Sequence, residues 1–259
     1  MEEGILPRMD LHGDAAIVTG AGRGLGRWIA QGLAKSGARL IVVDIDLTSA
    51  QKTVDEIRQA GGIAEALQMD ITKIDQIENM VSDTLKAFGR IDILVNNAGV
   101  NVHKPMVEIT PSEFEWVTSV NLRGVYFSSQ YVGKVMLEQK SGKIINIASV
   151  AGFLLRAGIP NSVYATTKAG IIMLTKALAE EFSGHGIRVN CIAPGYFATP
   201  LVADRLEDPK TLESILSSTP MKRVGGALDI VGPVIFLASE ASRFITGQTL
   251  FVDGGRSIL

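Results

Sequence analysis

AAIVTGAGRGLG, residues 15 to 26, reads as a short buried strand from Ala15 to Thr19, then a glycine cluster, then a helix from about Leu25 to Ser36. The glycines stand at 20, 22, 24 and 26, so Gly20, Gly24 and Gly26 give a GxxxGxG spacing rather than GxGxxG. A strand that turns through glycines into a helix N-terminus offers free backbone N–H groups and a positive dipole end to a phosphate. The same glycines also suit a tight turn with close helix packing, so the rest of the chain decides between the two.

The next segments fit the phosphate-binding role. ARLIVVDID, 38 to 46, is a second apolar run carrying Asp44, 18 residues past Gly26. An acid at that strand end accepts hydrogen bonds from adenosine ribose hydroxyls and repels a 2′-phosphate. Asp46 adds negative charge nearby, while Arg23 in the glycine loop pulls the other way; the expectation is NAD rather than NADP. Helical periodicity from Leu47 to Ala60 closes on Gly61 and Gly62, and IAEALQMD makes a third strand ending at Asp70. Asp70 reads either as a neighbour of the adenine or as a surface turn aspartate. A helix from Thr72 to Phe88 precedes IDILVNNAG, 91 to 99, a fourth strand. Apolar strands alternating with helices imply crossover units and a parallel sheet. The stretch from Pro111 to Leu137 is helical by pattern and holds Asn121, an amide that either sits at a kink near Gly124 or holds water.

GKIINIAS, 142 to 149, is a further strand taken to end at Ser149, and YATTKAGIIMLTKALAEEF, 164 to 182, predicts a helix of roughly five turns beginning near Tyr164. Tyr164 and Lys168 share a helix face, where an ammonium favours the tyrosinate. Moving a phenol down by roughly three units takes about 4 kcal/mol, so one cation supplies only part and a cationic group on the cofactor side supplies more. Ser149 can then hold an alcohol or carbonyl oxygen beside the phenol. A Tyr four residues before a Lys is also common on solvated helices. GIRVNCIAPG, 186 to 195, predicts another strand; 196 to 225, with Pro200, Pro209 and Pro220, predicts a flap of one or two short helices. A buried helix from Leu228 to Leu237 and a last strand in TGQTLFVDGG, 246 to 255, complete the chain.

The 259 residues carry a formal net charge of −2 with both signs interspersed, which excludes the basic patch a nucleic-acid partner requires. No run has signal-peptide or membrane-spanning character, so a cytoplasmic protein is expected. Cys191, the one cysteine, falls in an apolar run and is expected to be a buried inert thiol. His12, His103 and His185 are far apart and lack metal-ligand spacing, so no metal is expected.

TGAGRGLG at 19 to 26, Asp44, Asp70, NNAG at 96 to 99, Asn121, Ser149, YATTK at 164 to 168 and PGYFATP at 194 to 200 stand in an order and spacing that resembles the short-chain dehydrogenase/reductase family, over nearly everything from Leu11 onward. The resemblance implies a single Rossmann-type domain over 1–259, doubly wound, with a seven-stranded parallel sheet in the order 3-2-1-4-5-6-7. It implies a catalytic set in which Tyr164 moves the hydroxyl proton, Lys168 lowers its pKa and binds the nicotinamide ribose, Ser149 positions the substrate oxygen and Asn121 holds a relay water. It implies an NAD site built from the loop residues Gly20, Arg23, Gly24, Leu25 and Gly26, from Asp44, Asp70 and Ile71, and from Asn97, Ala98 and Gly99. Tyr164 and Lys168 join that site, with Pro194, Gly195, Phe197 and Thr199 near the nicotinamide. One departure is that Tyr164 lies 15 positions after Ser149 where the family usually has about thirteen, implying a longer or bulged loop.

The pattern most resembles the branch that acts on sugar acids and polyols, including gluconate 5-dehydrogenases. Arg156 in the lengthened loop, His103 and Lys104 after the fourth strand, and Lys222 and Arg223 beside the flap could place positive charge around such a substrate, with Arg156 preferred. Solvated surface charge is the alternative for each. A 3-oxoacyl thioester reductase and a nonenzymatic dinucleotide sensor are the competing readings. The helices around Val125 to Leu137 and Ile171 to Phe182, apolar over more than one face, together with LFVDGG, lead to the expectation of a homotetramer.

Overall fold

The computed structural model describes residues 9–155, 160–200 and 206–258. Seven strands form one parallel sheet in the order β3-β2-β1-β4-β5-β6-β7, as the family resemblance implies. They are β1 (Ala15–Thr19), β2 (Arg39–Asp44), β3 (Ile63–Gln68), β4 (Ile93–Asn96), β5 (Gly142–Ile147), β6 (Ile187–Pro194) and β7 (Thr249–Val252). Between and after them run α1 (Gly24–Lys35), α2 (Leu47–Gln59), α3 (Ile74–Phe88), α4 (Pro111–Thr118), α5 (Val125–Gln139), α6 (Ser162–Ser183), α7 (Pro209–Ser217) and α8 (Ala227–Ala238).

The inner strands β1, β2, β4 and β6 are mostly apolar without alternation because helices cover both faces, whereas the edge strands β3 and β7 are partly exposed. Successive side chains still point to opposite layers. Ala16, Val18, Leu40, Val42, Ile93 and Val95 meet Ile29 and Leu33 of α1, Val54 of α2 and Val234 and Leu237 of α8. Ile17, Ile41, Val43, Leu94 and Ile144 meet Ile77 and Met80 of α3, Val132 and Met136 of α5 and Leu178 of α6. Each such side chain contributes roughly 1.5–3 kcal/mol on burial, so the two layers fix the sheet's register and both sets of helices.

β1 lies between β2 and β4, with β1 Ala16 beside both β2 Leu40 and β4 Ile93. Connections leave β1 toward one edge and later return past it to the other. The strand order therefore reverses there, and a crevice opens beyond the carboxyl ends of β1 and β4.

Some expected boundaries need correction. The helix expected to run from Pro111 to Leu137 is interrupted by a π-helical turn, Ser119–Gly124, between α4 and α5. Within that turn the Asn121 amide is committed to the backbone of Val100, 21 residues earlier, donating to its carbonyl and accepting from its N–H, each at 2.8 Å. The fifth strand ends at Ile147, short of Ser149, whose hydroxyl instead accepts from Ala151 N–H at 3.1 Å and caps the short 3₁₀ turn Val150–Gly152. α6 is longer than expected, 22 residues from Ser162. The flap contains α7, capped by Asp208, whose side chain accepts from Thr211 N–H at 2.9 Å. Among the described residues no helix is long and apolar enough to cross a membrane.

Candidate active site

A cleft of about 770 Å³ follows the carboxyl ends of β1, β2, β4, β5 and β6. The glycine loop forms one wall. Gly20 has φ +62°, and a Cβ there would lie 2.8 Å from Ala98 Cα. A Cβ on Gly26 would lie 2.2 Å from Gly20 O, so α1 starts as close to the loop as backbone allows. Asn97 holds the loop from the neighbouring strand end: its Nδ2 donates to Thr19 O and Gly20 O, both at 2.9 Å, while its N–H donates to Thr19 Oγ1 at 3.1 Å. α1 has no side-chain cap and no acid in its first turn. Its leading N–H groups therefore remain available to an anion, and these residues fit a dinucleotide pyrophosphate.

Asp44 lines the same wall, and its Oδ2 accepts from Gly22 N–H at 2.9 Å while its Oδ1 accepts from Asp46 N–H at 3.1 Å. Asp46 is occupied as the cap of α2, accepting from Thr48 N–H at 3.0 Å and Ser49 Oγ at 2.5 Å. The Ser49 hydrogen bond leads in holding its carboxyl below the usual range. Asp70 Oδ1 accepts from the N–H and hydroxyl of Thr72 at 2.9 and 2.7 Å, an Asx turn that presents Asp70 and Ile71 to the cleft.

The far half of the cleft gathers Ser149, Tyr164 and Lys168. Burial raises the Tyr164 phenol above its usual pKa, opposed by a side-chain hydrogen bond with Ser149. Lys168, 4% exposed, donates from Nζ to Ile147 O at 2.8 Å and lies 5.6 Å from the centre of the Tyr164 ring. Burial pushes its pKa down to about 8. Asn121 is fully buried one layer behind, with Nδ2 also donating to Thr167 Oγ1 at 3.2 Å. A methyl placed on Gly99 would sit 3.5 Å from both Asn121 Oδ1 and Lys168 Nζ, so the two groups converge on that glycine. Cys191 is buried behind Lys168, its thiol pushed up to about 11 chiefly by desolvation. Gly195 N–H donates to Val252 O at 2.9 Å, and Pro194, Phe197 and Thr199 close the cleft on that side.

The expected ring of substrate-side cations is only partly present. His103 lines the cleft and its Nε2 lies 3.1 Å from Asn101 Nδ2. Lys104 instead pairs with Glu113, whose carboxyl is held down to about 2, first by that hydrogen bond. Arg223 grips Asp229 with two hydrogen bonds of 2.6 and 2.8 Å, and Lys222 donates to Ser217 O at 3.0 Å. Neither Lys104, Lys222 nor Arg223 lines the cleft. These charges are consumed by acids or carbonyls that the folding of loop and flap brings alongside. Arg156 lies outside the described residues. Sequence reasoning passed over Tyr196 and Arg256, which do line the cleft. Both follow glycines at strand ends, a signal that could have found them.

Comparison with known proteins agrees with this geometry. The family profile described as enoyl-(acyl carrier protein) reductase matches residues 20–257. A 3-oxoacyl-(acyl-carrier-protein) reductase of Synechocystis sp. is 39% identical over 95% of the chain and 97% of its own length. A 2-dehydro-3-deoxy-D-gluconate 5-dehydrogenase of Escherichia coli K12 is 38% identical over 97% and 98%. The crystal structure of a gluconate 5-dehydrogenase from Burkholderia cenocepacia J2315, in complex with NADP and tartrate, superposes with a TM-score of 0.94 at 37% identity, covering 99% of this chain and all of that one. With its sheet order, glycine loop and near full-length matches, the chain belongs to the short-chain dehydrogenase/reductase family, oxidoreductases that work with NAD(P) on CH–OH and C=O groups.

Proposed function

We propose that the protein interconverts a secondary alcohol and a ketone using NAD(H), on a sugar acid or related polyol. The observation that carries the reaction is the meeting of Ser149, Tyr164 and Lys168 in one cleft with the glycine loop. The cofactor supplies hydride acceptance and donation. Ser149 holds the substrate oxygen and Tyr164 moves its proton. With the phenol's pKa raised by burial, the neutral acid is the resting form, ready to protonate the oxygen of a ketone. Alcohol oxidation needs the phenolate, which the Lys168 ammonium and the positive charge of the oxidised nicotinamide favour. Asn121 keeps the loop at Val100 in place and, through Thr167, the α6 turn bearing Lys168.

The NAD reading is supported by Asp44, an acid at the end of β2 that lines the cleft beside the glycine loop and would repel a 2′-phosphate. The Burkholderia cenocepacia structure holds NADP, so this reading concerns the present chain's own acid. The sugar-acid reading draws on the activities by which the E. coli and B. cenocepacia relatives are named. A thioester reductase is the second reading, favoured by the Synechocystis relative and by exposed Phe153, Leu155, Met106 and Val107. A homotetramer is also part of the proposal, supported by exposed Tyr126, Met173 and Leu250 on the elements named for it.

The experiment is an absorbance panel of aldonates, alditols, steroids and acyl thioesters with each cofactor. Activity confined to acyl thioesters with NADPH would replace the first reading with the second.

A further inference from the structure

The sheet's last strand ends in Gly254 and Gly255, both at positive φ (+65° and +86°), which turn the chain back over the cleft and deliver Arg256 into its wall. Asp253 fixes this turn: Oδ1 accepts from Gly255 N–H at 3.0 Å and Oδ2 from Ser257 N–H at 2.7 Å. Arg256 is 6% exposed. Nη1 donates to Ser218 Oγ at 2.5 Å, and the guanidinium carbon lies 5.3 Å from the centre of the Tyr196 ring. Among the described residues no carboxylate lies within 4.0 Å of it. The contrast with its peers is informative. Arg90 and Arg223 each hold an acid, and Arg188, near the amino end of β6, is met by two carbonyls and a hydroxyl. A guanidinium has five N–H donors in a planar fork, and a charge taken out of water without a counter-charge is costly.

We propose that Arg256 is the residue that binds the carboxylate of the substrate, and so selects hydroxy acids over neutral alcohols. Ser218 and the face of Tyr196 hold the fork in place, leaving its other donors for a planar anion in the cleft that also contains Ser149 and Tyr164. A neutral polyol leaves that charge unpaired, which is the stronger kind of discrimination. The proposal rests on the reading of the cleft as a hydroxy-acid oxidoreductase site. It puts in place of Lys104, Lys222 and Arg223, none of which lines the cleft, a cation that the fold does place in the cleft wall.

The test uses enzyme loaded with NADH, which cannot react with an alcohol. Calorimetry measures dissociation constants for a six-carbon aldonate and for the alditol of the same length, in the wild type, Arg256→Met and Arg256→Lys. The wild type binds the aldonate the more tightly; Arg256→Met weakens aldonate binding roughly 30-fold and alditol binding less than about 3-fold, and Arg256→Lys restores part of the difference. The affinity for NADH changes by less than about 2-fold. Equal wild-type affinities, equal losses for both ligands, or an equal loss of NADH affinity would overturn it. Should Arg256→Met fail to fold, Arg256→Lys decides: a selective loss for the aldonate supports the assignment, and unchanged binding overturns it. Aldonate binding through Arg256 without NADH formation from any alcohol would refute the proposed reaction and leave the anion site standing. Oxidation of both classes with equal KM changes on substitution would do the reverse.

Discussion

The carboxylate of Asp44 accepts a hydrogen bond from the backbone N–H of Gly22 at 2.9 Å, so the acid at the end of β2 is tied directly to the glycine loop. On the proposed NAD reading it acts twice: it sets the loop's position, and its charge opposes a 2′-phosphate. Asp44→Ala is therefore expected to lower kcat/KM for NAD as well as to relieve repulsion of NADP. The ratio of the two specificity constants should shift toward NADP by at least about 10-fold. Steady-state kinetics with both cofactors checks this, and a wild type that prefers NADP would refute the reading of Asp44.

Lys168 gives a pH signature. Burial pushes its pKa down to about 8 from the ordinary 10.5, so its ammonium is present below that pH and is lost above it. If the ammonium holds the nicotinamide ribose, NADH affinity should weaken by about 3-fold or more between pH 7 and 9. Lys168→Met should bind NADH more weakly and lose that pH dependence. Fluorescence titration of NADH across this range reads both; parallel pH profiles for the two proteins would contradict the role.

Asp92, 1% exposed, is the hub of a structural network at the opposite end of the sheet. It accepts from Ala15 N–H at 2.9 Å and from Arg90 Nε and Nη2 at 2.7 and 2.6 Å. Asp92→Ala leaves the buried Ala15 N–H without its partner and removes the ion pair of a half-exposed guanidinium, at a cost of about 2–3 kcal/mol. Thermal unfolding should fall by roughly 4–12 °C for a chain of this size, without a change in cofactor preference. A melting temperature within about 1 °C of the wild type would show that the network carries little stability.

The strands were legible because the inner ones are runs buried on both faces and the helices α1, α2 and α3 between the first of them have a clear apolar stripe. β1 was read to its observed bounds, since the first glycine marks its end. That Tyr164 and Lys168 share a helix face was legible from one spacing, and the nearness of Asp44 to the glycine loop from its place at the end of β2. A kink near Gly124 was one of the two readings of Asn121; the extent of the π turn was not legible, and neither was the meeting of Asn121 with Val100, 21 residues earlier. The pairings Lys104–Glu113 and Arg223–Asp229 misled the charge count, because a helix cap and a flap turn bring the acid to the cation. Arg256 had no periodic pattern around it, and its anchor Ser218 stands 38 positions away.

The measurement that bears most directly on the central claim is single-turnover oxidation of the best alcohol in the panel by NAD with wild-type enzyme and Tyr164→Phe. The substitution removes the oxygen that takes the proton and keeps the ring over Lys168. The account predicts a rate at least ~100-fold lower with NADH affinity within about 3-fold of the wild type. A rate within a few-fold of the wild type would show that the proton leaves by another route and would contradict the assignment of Tyr164.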